Sequence, residues 1–233
     1  CYDYSVTVNK MMRNKLTYKL FLFGLTAIIS LTVFGQGQIA VKQLDLNKLP
    51  KGIKYEGKIK TAVCWVDSLG NNIAILTETG IYQSKKFKHE NDGRDAELFA
   101  YHFIVKDDSA FQTWGIYDFI SDCLVDIEAQ FIKNSFQVTD LNHDGIGEIW
   151  IMYKTVCHGD VSPCDMKIIM YHGQQKFAMR GQNKVFSGTD DKGKKYYIGG
   201  DYKYDKAFAD GPKEFLEFAK KLWDKNIMQT WGE

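Results

Sequence analysis

One run of the chain, Asp140-Leu141-Asn142-His143-Asp144-Gly145-Ile146-Gly147-Glu148, sets side-chain oxygens at its positions 1, 3, 5 and 9 and a glycine at 6. A hard cation such as Ca2+ takes six to eight oxygen ligands at about 2.4 Å, and alternate side chains on a tightly wound loop can point at one centre. The spacing therefore makes Asp140, Asn142, Asp144 and Glu148 the side-chain ligands, with Ile146 giving its carbonyl. Position 12 is Ile151, where an EF-hand carries a bidentate glutamate, so the loop departs from that motif at the residue that closes the cage. The plainer alternative is a polar turn in which Asn142 and Asp144 cap backbone amides.

A second polar cluster is Cys157-His158-Gly159-Asp160-Val161-Ser162-Pro163-Cys164. Its Gly and Pro favour a returning loop, so a local Cys157–Cys164 disulfide is the simplest pairing. Cys64 and Cys123 leave three connectivities open among these four cysteines. Two other readings stand beside it. One is a metal site drawing on Cys157, His158, Cys164 and His172, whose spacing fits no common zinc pattern; the other is buried thiols acting as small hydrophobes. His158 and Asp160 could also serve as an acid/base pair or as ligand-binding groups. Carboxylates at Asp118, Asp122, Asp126 and Glu128 offer the paired acids that glycoside chemistry uses. Tyr196, Tyr197, Tyr202 and Tyr204 crowd a Gly199-Gly200 turn, and Tyr202 and Tyr204 are candidates to stack on a sugar. No GxSxG, P-loop or GxGxxG follows a strand pattern, which favours a binding module over a catalyst and names no catalytic residue.

The elements that must position these groups follow period two. Thr61–Val66 and Ile73–Thr77 flank turn residues and predict a hairpin; Leu98–Lys106 and Trp114–Ile120 predict two further strands. Val125, Ile127, Ala129 and Phe131 alternate with polar residues, although Phe119, Ile120, Cys123, Leu124, Ile127 and Phe131 also match a helical face. Phe136–Thr139 and Ile149–Thr155 bracket the acidic loop, so it joins two strands. Lys167–Tyr171 follows, and Tyr196–Ile198 and Tyr202–Phe208 are expected to pair across Gly199-Gly200. Phe215, Phe218, Ala219, Leu222 and Trp223 recur at helical spacing behind Pro212, predicting an amphipathic helix over 212–226 that caps the β core. The fold class is mainly β, with antiparallel sheets and a C-terminal α-helix.

The 233 residues are 45% hydrophobic and 25% charged, with 30 Lys and Arg against 29 Asp and Glu. A chain this close to neutral exerts no general pull on nucleic acid, which is not an expected partner. Leu20–Phe34 carries no charge, follows Arg13, Lys15 and Lys19, and precedes Gly35-Gln36, the layout of a secretory signal peptide. Cleavage after Gly35 leaves one domain over residues 36–233, located in the periplasm, at the cell surface or secreted. A membrane is met only through the signal segment, if that is left uncleaved. Residues 1–10, ahead of Met11 and Met12, read as lying upstream of the start.

The strand-loop-strand around Asp140–Glu148, continued through Lys167–Tyr171 and Gly173-Gln174-Gln175-Lys176-Phe177, resembles one FG-GAP/VCBS-type calcium repeat of integrin-like β-propellers. Asp67–Thr77 looks like a faint second copy broken by Gly70, Asn71 and Asn72. The resemblance implies Ca2+ as cofactor and a partial or degenerate propeller. Phe131–Gly181, above all Cys157–Pro163, also resembles a family of exported bacterial proteins labelled surface polysaccharide biosynthesis protein. That resemblance implies work on envelope polysaccharide or lipopolysaccharide antigen, with a glycan or a polysaccharide-assembly protein as partner. It supplies a process and no catalytic residue; the alternative is a carbohydrate-active enzyme using the 118–128 acids or His158 and Asp160.

Overall fold

A computed structural model describes residues 39–229. The expected signal peptide and its cleavage point lie outside the described residues.

Five strands, β1 (Lys42–Gln43), β2 (Lys58–Asp67), β3 (Gly70–Glu78), β4 (Arg94–Lys106) and β5 (Ser109–Cys123), form an antiparallel sheet in chain order. The second sheet has β6 (Asp126–Phe131), β7 (Gln137–Thr139), β8 (Glu148–His158), β9 (Asp165–His172), β10 (Gln175–Gln182) and, after a two-stranded ribbon of β11 (Lys184–Thr189) and β12 (Lys195–Gly199), β13 (Tyr202–Tyr204). Its order is β13-β10-β9-β8-β6, with β7 also on β8. Helices α1 (Lys206–Asp210) and α2 (Lys213–Asn226) complete the chain. The described strands do not close into a barrel. No described helix is long and apolar enough to cross a membrane.

Alternation explains the layering. Val63, Trp65, Leu98, Trp114 and Ile116 of the first sheet meet Ile149, Ile151, Tyr153, Ile169 and Tyr171 of the second in one shared core. The opposite face of the second sheet, with Trp150, Met152, Ile168, Met170 and Phe177, is covered by Phe208, Phe215, Ala219, Leu222 and Trp223 of the helices. Sheets buried on both sides need apolar residues at successive positions, and Glu148–Thr155 is buried throughout. The expected amphipathic helix thus packs on the β core; Pro212 is its N-cap rather than its first residue. The segment that matched both periods is strand, β5 and β6.

Two expectations are corrected. Tyr196–Ile198 and Tyr202–Phe208 do not pair with each other. β12 pairs with β11, and β13 with β10. Gly199 and Gly200 both have positive φ and carry the chain from ribbon to sheet, while Asp205 accepts from Phe208 N and starts α1. Nor do Cys157 and Cys164 form a disulfide; the bond is Cys123–Cys157. Register decides this. Cys157 lies opposite Ile127, on the face it shares with Thr155 and Tyr153, beside Cys123 at the end of β5. Cys164 shares its face with Met166, which packs under the helices. The two cysteines therefore point to opposite sides of the sheet. Cys64 and Cys164 are buried and not disulfide-bonded.

The ribbon is rooted by the residues after α2: Lys184 N donates to Ile227 O at 2.6 Å, and Gln229 N to Lys184 O at 2.9 Å.

Candidate functional sites

The acidic loop is the β7–β8 hairpin connection, closed by the pair Thr139↔Glu148. His143 and Gly145 take positive φ, which winds it tightly. Asn142 Nδ2 donates to Asp144 at 2.9 Å, Ile146 N to Asp144 Oδ1 at 2.9 Å, and Gly145 N to Asp140 Oδ2 at 3.2 Å. Asp140 Oδ1 is buried without a partner. Glu148 is fully buried and accepts from Thr139 Oγ1 at 2.6 Å and Leu141 N at 2.9 Å. Burial first, and the Asp140 charge with it, raises the Glu148 carboxyl against its hydrogen bonds. His172 Nε2 lies 2.9 Å from Asp144 Oδ2, an ion pair when the imidazole is protonated but not aimed as a hydrogen bond. Burial also acts on Asp144, yet the bonds from Ile146 and Asn142 and the nearby His172 hold its carboxyl below the usual value.

By chemistry these oxygens suit a hard cation, although Asp140, Asp144 and Glu148 do not bring three ligand atoms within 4.8 Å of one another. An orphaned carboxylate oxygen beside a buried carboxylate that meets only neutral donors is an arrangement a divalent ion would compensate. Asp140, Asn142, Asp144 and Glu148 would hold it, with Ile146 supplying a carbonyl. The β2–β3 turn packs directly on this loop: Gly147 N donates to Asp67 Oδ2 at 3.1 Å, and Ser68 N to Gly145 O at 2.8 Å.

The acids of 118–128 each meet different partners. Asp118 accepts from Lys167 Nζ at 2.5 Å and Tyr153 OH at 3.0 Å, between the sheets. Asp122 accepts weakly from Glu90 N at 3.4 Å and keeps a buried, unpartnered Oδ1. Asp126 is exposed opposite His158. Glu128 is engaged with Lys154 Nζ at 2.5 Å and Gln229 Nε2 at 3.1 Å. Each carboxylate thus has its own surroundings.

His158 and Asp160 stand 3.9 Å apart, with Asp160 exposed and accepting from Ser162 N. Tyr202 packs on Trp223 with ring centroids 5.3 Å apart, while Tyr204 is more exposed, with Lys220 Nζ over its ring. The more open aromatic pair is Phe186 and Tyr197. They face each other across the ribbon, 49% and 40% exposed, with Lys184 Nζ 5.2 Å from the Tyr197 centroid. The sequence reading assigns no strand to Lys184–Thr189, so Phe186 is absent from its candidates. A cleft of about 1140 Å3 opens near the ends of both sheets, lined among others by Lys60, Glu78, Glu128, Lys133, Lys154 and Gln229.

No family model, curated protein or solved structure matches the chain.

Proposed function

We propose that this is an exported, non-catalytic accessory protein of surface polysaccharide assembly, a binding module whose β7–β8 loop is ordered by Ca2+. The observation that carries the binding reading is the Phe186–Tyr197 pair, two half-exposed rings on a protruding ribbon with an ammonium beside them. Flat rings stack on the apolar faces of sugars, and Lys184 favours an anionic polymer. Tyr204 with Lys220 extends the same chemistry toward β13. The dispersed engagement of Asp118, Asp122 and Glu128 favours binding over hydrolysis.

Purified full chain is titrated with acidic and neutral bacterial surface polysaccharides. Two stacked rings are worth about 1–3 kcal/mol together, so Phe186→Ala with Tyr197→Ala should weaken binding of the acidic polymer about 5- to 150-fold. Both side chains lie on an exposed face, so thermal stability should be retained. Equal affinity of variant and parent would reject this face, and hydrolysis of the polymer would replace the binding reading by the enzymatic one.

A further inference from the structure

We propose that Glu128, His158 and Cys164 form a binding site for a borderline-soft divalent ion of the zinc class. This rests neither on the glycan reading nor on the acidic loop.

The three residues come from separate parts of the second sheet and reach one place by strand parity. Asp126 is opposite His158 and Glu128 opposite Val156, which puts Glu128 and His158 on the helix-side face. Cys164 enters from just before β9 and shares that face with Met166. Its backbone is fixed by two bonds to one residue: Cys164 N donates to Asn183 Oδ1 at 2.8 Å, and Asn183 N to Cys164 O at 3.1 Å. One ligand atom from each of the three lies within 4.8 Å of the others, the only such set of three His, Cys, Asp or Glu among the described residues. A tetrahedral zinc with bonds of about 2.0–2.3 Å holds its ligands roughly 3.3–3.6 Å apart, so side-chain adjustments of about an ångström close the site.

Chemistry selects the ion. Sulfur, imidazole and a single carboxylate suit zinc or cobalt and disfavour calcium, which seeks oxygen. His158 Nδ1 is buried with no hydrogen-bond partner, 3.9 Å from Asp160 Oδ1, so this nitrogen has no strong protein contact to give up on binding an ion. Glu128 is oriented by Gln229 and Gln130 as well as by Lys154. Such outer contacts normally fix a ligating carboxylate. Lys154 occupies one carboxylate oxygen and opposes the ion, so its removal should tighten binding. Cys164 has no solvent exposure, which fits a ligand and not a nucleophile that must meet substrate.

The test uses tag-free full chain, stripped with chelator and kept with its native disulfide, titrated with Co2+ and then Zn2+. Expected are one equivalent of Co2+ with a thiolate-to-cobalt charge-transfer band, bleached by Zn2+. Cys164→Ser should abolish the band; Glu128→Gln and His158→Ala should each weaken Zn2+ at least tenfold; Lys154→Met should strengthen it. Cys1→Ser and Cys64→Ser control for the remaining cysteines and should bind as the parent does. Absence of the band in the parent, or its survival in Cys164→Ser, overturns the proposal. The parent titration decides even if a variant fails to fold.

Discussion

Removing the Cys123–Cys157 bond by the double substitution Cys123→Ala, Cys157→Ala should cost close to 4 kcal/mol. The bond joins residues 34 apart in sequence, and the loop-closure entropy released to the unfolded chain by a loop of that size is about 12–13 cal/mol/K, or roughly 4 kcal/mol at 25 °C. Cys123 is buried in a small cluster with Ala96 and Ile127, and Cys157 is exposed opposite Ile127, so alanine at both positions should introduce little strain. In a domain of this size that loss corresponds to a fall in Tm of about 8–16 °C. Urea unfolding of parent and variant gives the free energy, and a non-reducing tryptic map gives the connectivity. Cys157 and Cys164 share the peptide 155–167, so the expected product is that peptide linked to 107–133, with Cys164 free to alkylate after denaturation. A loss below about 1 kcal/mol, or an internally bridged 155–167 peptide, would refute the register argument.

Adding Ca2+ to chelated protein at a hundredfold excess over its Kd should stabilise it by about 2.7 kcal/mol, read as a Tm rise of several degrees; Asp140→Asn should remove the response, and an unchanged parent Tm would dismiss the ion from the loop. His102 is buried between Trp65 and Trp114, accepts from or donates to Thr113 and Asn72, and burial lowers it to about 4 against an opposing pull from Asp67. The unfolded chain therefore takes up this proton first as pH falls, so stability should be full above about 6.5 and decline by about 1.4 kcal/mol per unit down to pH 4. Replacement by Gln should flatten that part of a pH series of urea midpoints, and an unaltered slope would count against His102 as its source. Gly181→Ala puts a Cβ 1.9 Å from Asp201 O and 2.6 Å from Tyr202 Cα, where β13 meets β10; a loss of about 2 kcal/mol or more in urea unfolding is expected, and a neutral result would reject the close approach.

What the amino-acid order discloses depends on how local its cause is. Thr61–Val66, Ile73–Thr77 and Ile149–Thr155 are apolar-rich runs buried at nearly every position, a cause carried by the residues themselves, and those strands are as expected. The acidic loop is legible as a strand connection because its glycine and Asx residues act within a few positions. Of the ribbon, Tyr196–Ile198 is legible as strand, but β11 and its pairing with β12 are not, since β12 is exposed throughout and carries no buried alternation. Cysteine pairing and the Glu128–His158–Cys164 cluster depend on register between strands distant in sequence. A one-residue slip would reverse every face involved, and spacing along the chain holds no record of that choice.

The short stretch behind α2 is the keystone of two otherwise separate regions. Ile227 and Gln229 grip Lys184 at the base of β11, and the Gln229 side chain reaches Glu128. A truncation after Asn226 would consequently loosen both the aromatic ribbon and the far end of the central sheet while sparing the helix itself, so any fusion or trimming at this terminus acts on surfaces that lie well upstream in the chain.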